Sequence, residues 1–235
     1  MRPTTKLHGV KILLTICCQL SPQYIQAQFA KSVLFDIHHG SNPKIAEGWK
    51  ILLPQNASIE TSNQVLISTT LQGKTAIVLF SSTKTFVGDE VTAITTYLGQ
   101  GGSLLLIFDE ERRTPLDIGV NNILKPFGLE LSPDIPARHN CGAIAPRSHL
   151  IAADRELPYS GGRSVLGGTA ISHVYDDGDY IHCAYTELAG GGKIIVMGDG
   201  MAGLLLGGPD GIRFSGTGPS DSKYWGKDSE VFMRE

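Results

Sequence analysis

The chain has 235 residues, of which 41% are apolar and 28 are glycine, and its formal net charge is −3. That length suits one α/β domain, or one domain with a small appendage, and the apolar fraction is enough to build a core. The weak negative charge and the lack of a dense Lys/Arg stripe exclude a nucleic-acid polyanion as the expected partner. No apolar run approaches the roughly 20 residues that a membrane-spanning helix needs.

At the N-terminus, Arg2, Lys6, His8 and Lys11 precede the short apolar stretch 12–20, and small or polar residues follow. Residues 1–28 therefore read as a secretory signal peptide cleaved near Ala27 or Gln28. Residues 29–235 are then expected to form a single domain that is secreted or periplasmic. A loosely helical N-terminal extension is the alternative. Ile16 stands where lipid attachment at Cys17 would want a small residue. Cys141 and Cys183 are left in the mature chain. They either pair in an oxidising compartment or stay as buried thiols.

Lys31–Asp36 is apolar at Val33, Leu34 and Phe35 and reads as the first strand. In the loop after it, Ser41 or Asn42 can cap a helix with Pro43 in its first turn, carrying Ile45, Trp49 and Leu52 inward. Ser58–Thr61 suggests a second strand, and Val65–Thr70 suits either a strand or a turn. Thr75–Phe80 is a buried strand followed by the polar loop 81–85. Val91, Ile94, Tyr97 and Leu98 recur at helical spacing, and Gly99, Gly101 and Gly102 stop that helix. Ser103–Phe108 is continuously apolar, as expected of a strand covered on both faces.

A helix over Asp117–Pro126 with Ile118, Val120, Ile123 and Leu124 inward, then a short strand over Leu129–Leu131, complete this part. From Ser132 to His182 the pattern breaks into short strands and Gly/Pro-rich loops. Lys193–Met197 is the last clear strand. Residues 231–235 read as the beginning of a helix, so a shortened C-terminal helix is expected. Alternating helices and continuously apolar strands predict an α/β three-layer sandwich with a mostly parallel central sheet.

In such sheets ligands bind beyond the carboxyl ends of the strands. Those ends carry Asp36, His38 and His39, then Ser81 and Ser82, then Asp109, Glu110 and Glu111, and finally Asp199. Asp36, His38, His39, Ser81, Asp109, Glu110 and Asp199 are the ligand-binding candidates. His38, His39, Asp109 and Asp199 together have the residue types of a divalent-metal site, and with one bound the edge could support hydrolysis. The same residues also serve as helix caps and solvated loop groups. Adjacent residues on an extended segment point to opposite sides, which predicts that His38 and His39 diverge.

No nucleophile elbow follows the central strand, where Asp109-Glu110-Glu111-Arg112-Arg113 stands without a flanking glycine. Cys141, in His139-Asn140-Cys141-Gly142, has the residue types of a Cys–His pair but lies in a loop-rich region. Gly198-Asp-Gly-Met-Ala-Gly203 spells a dinucleotide pattern after the last strand rather than the first. There is no Walker A sequence, and no cofactor is expected.

With these pieces placed, the chain resembles the glutamine-amidotransferase-like superfamily of flavodoxin-type domains. The likeness is to its non-catalytic branch, which includes the N-terminal domain of an intraflagellar transport subunit, gliding-motility-type ABC-transporter auxiliary proteins and bacterial families of unknown function. The likeness rests on Phe35-Asp-Ile-His-His-Gly40, on the loop 81–85 followed by Asp89-Glu-Val91, and on Tyr97-Leu-Gly-Gln-Gly-Gly-Ser-Leu-Leu-Leu-Ile107. It rests also on Asn121-Asn-Ile-Leu-Lys-Pro-Phe-Gly-Leu129 and Gly191-Gly-Lys-Ile-Ile-Val-Met-Gly-Asp199. The resemblance implies a glutamine-amidotransferase-like fold. It also implies a nucleophile at the position that Asp109-Glu110 occupies here, so no catalytic residue is expected. A non-enzymatic binding or scaffold domain for a carbohydrate or a partner protein is what the resemblance implies instead.

Overall fold

The computed structural model describes residues 31–135, 142–159, 161–174, 180–204 and 228–235. The apolar runs do assemble side by side. β1 (Lys31–Asp36), β2 (Ala57–Ser62), β3 (Ala76–Phe80), β4 (Ser103–Ile107) and β11 (Lys193–Met197) form a parallel core in the order β2-β1-β3-β4-β11.

Alternation along each strand feeds two separate cores. Leu34, Ile77, Leu79, Leu104, Leu106, Ile194 and Val196 meet Ile94 and Leu98 of α3 (Gly88–Gly99) and Ile123 and Leu124 of α4 (Val120–Leu124). On the other face, Phe35, Val78, Phe80, Ile107 and Met197 meet Ile45 and Trp49 of α1 (Pro43–Trp49) and Phe232 of α6 (Ser229–Arg234). Helices on both faces are why these strands show no polar alternation. The α/β fold, with layers on either side of a parallel core, is as the sequence predicts. The Asn42 side chain accepts from the Lys44 amide and Pro43 opens α1, also as predicted.

The rest of the sheet runs the other way. β10 (Ile181–Glu187), β9 (Thr169–Val174), β6 (Ala143–Ala145) and β7 (Arg155–Leu157) extend it from β11, and each joins its neighbour antiparallel. The nine-stranded sheet is therefore mixed, its parallel core flanked on one side by four antiparallel strands. The expected strand at Leu129–Leu131 belongs to β5 (Leu129–Asp134), which leaves this sheet to pair with β8 (Arg163–Gly167).

Two local expectations change. Over 65–70 no strand forms; α2 (Ser68–Leu71) follows a turn in which Leu66 is buried and Val65 and Ile67 are exposed. The helix expected over Asp117–Pro126 is broken by Gly119 at φ +88° into a 3-10 turn, Leu116–Ile118, and the short α4. Ile118, Val120, Ile123 and Leu124 are nonetheless all buried, because the break keeps the apolar side on the sheet. Among the described residues no helix is long and apolar enough to cross a membrane.

Candidate functional site

The carboxyl edge of the parallel core holds two buried polar corners. At the end of β1 the chain enters a turn rather than continuing extended. Asp36 organises that turn: its Oδ1 accepts from the His38 amide at 3.1 Å, and its Oδ2 accepts from the His39 amide at 3.3 Å and pairs with His39 Nδ1 at 2.9 Å. The His39 ring lies stacked on Phe86, with centroids 4.0 Å apart, and its Nε2 faces Glu90 Oε2 at 3.3 Å. Asp36, His39 and Glu90 are each almost wholly buried.

Glu90 reaches this corner from the first turn of α3, where its carboxylate also accepts from the Leu66 amide at 2.9 Å and the Val87 amide at 3.2 Å. The second contact caps the helix. Burial would push the Glu90 pKa up, but the Leu66 and Val87 amides and then His39 outweigh it, so the carboxyl sits below its ordinary value. Burial likewise opposes a charged His39. The hydrogen bond and charge of Asp36, followed by those of Glu90, prevail and raise its pKa. An imidazolium held between two carboxylates satisfies the rule that buried charges are paired.

The turn also overturns the expectation that His38 and His39 diverge. Their rings meet edge to face with centroids 5.0 Å apart, and one ligand atom from each of His38, His39 and Glu90 lies within 4.8 Å of the other two. Asp109 and Asp199, proposed with the histidines as metal ligands, are not part of that cluster.

The second corner closes the ends of β3, β4 and β11. Ser81 has φ +47°, a left-handed conformation uncommon outside glycine, and its hydroxyl donates to Asp109 Oδ2 at 2.9 Å. The Gly200 amide donates to Asp109 Oδ1 at 2.7 Å, so both carboxylate oxygens are engaged. Asp109 is 4% exposed; burial raises its pKa against the pull of the Gly200 amide and the Ser81 hydroxyl. Arg163 of β8, with no exposed surface, donates through Nε to the Asp109 carbonyl at 2.9 Å. It donates further to the carbonyls of Ser132 (3.1 Å) and Thr114 (2.9 Å) and to the Glu111 carboxylate. That hydrogen bond holds Glu111 below the usual carboxylate range. Asp199 Oδ1 accepts from the Met201 amide at 2.7 Å, at the start of α5 (Met201–Leu204).

The glycine pattern at 198–203 has a steric explanation. A Cβ on Gly198 would lie 2.0 Å from the Arg163 carbonyl oxygen, one on Gly200 2.9 Å from Asp109 Oδ1, and one on Gly203 2.8 Å from the Phe80 ring. These glycines let β11 and its exit pack on the second corner. Glu110 is quarter-exposed and Glu111, Arg112 and Arg113 are more so, making a charged rim beyond it. Ser82 is buried.

Two residues central to the edge escaped sequence reasoning. Glu90 carried a signal, an acidic residue in the first turn of a helix, whereas Arg163 follows two glycines in a stretch without periodicity. Cys183 is fully buried, which pushes its thiol pKa up, and it has no disulfide partner among the described residues. Cys141 and the signal-peptide segment lie outside the described residues.

Residues 32–152, just over half of the chain, match the family model described as the IFT52 GIFT domain. The chain belongs to that family. Among solved structures, the N-terminal domain of mmIFT52 superposes with a TM-score of 0.60 at 16% identity, covering 72% of this chain and 86% of that one. At that identity it shows a shared fold. A ThuA-like protein from Bacteroides uniformis is similar at TM-score 0.46 and 11% identity, over 77% of this chain and 87% of that one. A GMP synthase component from Thermoplasma acidophilum is similar at 0.37 and 11%, over 72% and 82%. A search of curated proteins returned no match.

Proposed function

We propose that this GIFT-family chain is a non-enzymatic binding or scaffold domain that acts outside the cytoplasm after its N-terminal segment has directed export. Its ligand is a partner protein, met at the carboxyl edge of the sheet. The observation that carries this reading is the state of Asp109. It stands where the amidotransferase resemblance calls for a nucleophile, it is buried, and both its carboxylate oxygens are engaged by Ser81 and Gly200. A group so committed cannot attack a substrate without giving up the hydrogen bonds that hold the corner.

What remains accessible is the rim Glu110–Arg113, in which Arg112 is 81% exposed and Arg113 47%. Exposed arginines on a fixed loop suit protein recognition, where Arg is enriched. Carbohydrate, the other ligand class that the resemblance implies, is tested by a glycan array on the same protein. Crosslinking in the exported fraction is expected to capture a partner that the double variant Arg112→Glu, Arg113→Glu loses. Turnover of ester, amide, phosphate or glycoside substrates that disappears in Asp109→Asn would overturn the proposal. Export is checked by N-terminal sequencing of the extracytoplasmic protein, where an intact Met1 would contradict cleavage.

A further inference from the structure

The β1 corner carries more than a structural ion pair. Three potential ligands converge there from two separate elements: His38 and His39 from the turn after β1, and Glu90 from α3. Two imidazoles and one carboxylate are a donor set suited to borderline divalent ions such as zinc.

The hydrogen bonds around the rings make a second, independent observation. Ligating histidines nearly always give their other ring N–H to a carboxylate or a backbone carbonyl, which fixes the tautomer and aims the free nitrogen. Both rings here have that arrangement. His39 Nδ1 faces Asp36 Oδ2 at 2.9 Å, and His38 Nδ1 faces the Asn63 carbonyl at 3.2 Å. Both acceptors lack a proton to give, so each Nδ1 donates, which leaves each Nε2 as the nitrogen for a metal, that of His39 once its own proton has left.

Distances agree. Two donors about 2.0–2.1 Å from a tetrahedral zinc are about 3.4 Å from each other, and His39 Nε2 and Glu90 Oε2 are already 3.3 Å apart. Glu90 is also held in place from outside the cluster by the Leu66 and Val87 amides, so the ligand is preset.

We propose that His38, His39 and Glu90 bind one zinc ion, with Asp36 and the Asn63 carbonyl orienting the two rings. The fourth position is open on the side of His38, the one partly exposed member. The ion ties the turn after β1 to the first turn of α3, two segments about 50 residues apart in the chain. Atoms and charge balance simply: zinc replaces the proton on His39 Nε2, which leaves to solvent. The site does not depend on the partner-binding reading of the Glu110–Arg113 rim, and either can fail without the other.

The test is calorimetric titration of the full chain, stripped with chelator, with Zn²⁺ alone, together with the absorption spectrum of the Co²⁺ form. One ion per chain and the intense visible bands of four-coordinate cobalt are expected. His38→Gln, at a partly exposed position, should weaken Zn²⁺ binding by at least about 100-fold, beyond the 10–100-fold typical of losing an orienting partner. His149→Gln, whose ring meets Tyr185 instead, should bind as the parent does. Absence of stoichiometric zinc, a six-coordinate cobalt spectrum, or equal affinity in His38→Gln would each overturn the proposal. The cobalt spectrum of the unaltered chain decides the matter if either variant folds poorly.

Discussion

The two corners of the carboxyl edge bury charge in opposite ways. At the end of β4, the cation is Arg163, permanently charged, and its donors reach three backbone carbonyls and a carboxylate. Asp109 beside it has neither carboxylate oxygen free. At the end of β1, the cation is a histidine whose proton can be exchanged for a metal, and a second, partly exposed histidine stands next to it. A fully committed corner makes a rigid floor, because any ligand would have to displace hydrogen bonds in a low-dielectric setting. A corner with a replaceable proton and a lone pair can still take a ligand. Two strand ends of one sheet, with β3 between them, thus differ in how firmly their charges are committed.

The comparison breaks most sharply at Arg163. Arg163→Met removes a donor from the carbonyls of Asp109, Thr114 and Ser132, of which Asp109 keeps the Thr114 hydroxyl, and it deprives the Glu111 carboxylate of its cation; it is expected to cost about 3–5 kcal/mol in urea unfolding. Arg163→Lys should recover only part of this, since an ammonium lacks the planar fork that serves several acceptors at once. A loss below about 1 kcal/mol in Arg163→Met would mean that the second corner is not the rigid one.

His182 of β10 sharpens the contrast through pH. Its carbonyl accepts from the Gly198 amide and its Nδ1 pairs with Ser172 Oγ at 2.8 Å. Burial lowers its pKa to about 4, with the Asp199 backbone opposing. The folded state keeps the ring neutral, while the unfolded chain protonates it below pH 6.5. Its stability contribution is therefore present above about pH 6.5 and is lost as pH falls toward 4, by at most about 3 kcal/mol. Unfolding midpoints measured between pH 7.5 and 4.5 should fall less steeply in His182→Asn than in the parent. Identical slopes would place the titration elsewhere.

The smallest expected effect separates strain from hydrogen bonding at Ser81. Ser81→Ala removes the donor to a buried carboxylate and should cost about 1–2 kcal/mol. Ser81→Gly loses the same donor but relieves the left-handed backbone, and should cost about 1 kcal/mol less. If both variants unfold at the same denaturant concentration, the positive φ stores no strain.

Much of the fold was legible because its determinants are local. β1, β4 and β11 are continuous apolar runs whose limits the sequence marks to within a residue, and Asn42-Pro43 announces the start of α1. The antiparallel extension was not legible. β6 and β7 are three residues each, too short for a period of two to register, and their place beside β9 depends on pairings across the chain.

The sequence by itself determined the parallel core and the N-terminal cap of its first helix, since propensity, periodicity and capping act over a few residues. Only the tertiary structure decided what the buried charges do. Glu90 meets His39 across 51 residues, and Arg163 meets the Asp109 carbonyl across 54. Whether a buried carboxylate becomes a ligand, an acid or a structural acceptor depends on which partner arrives to offset its desolvation. His38 and His39 read as diverging neighbours on an extended segment, and the turn that Asp36 holds brings them together.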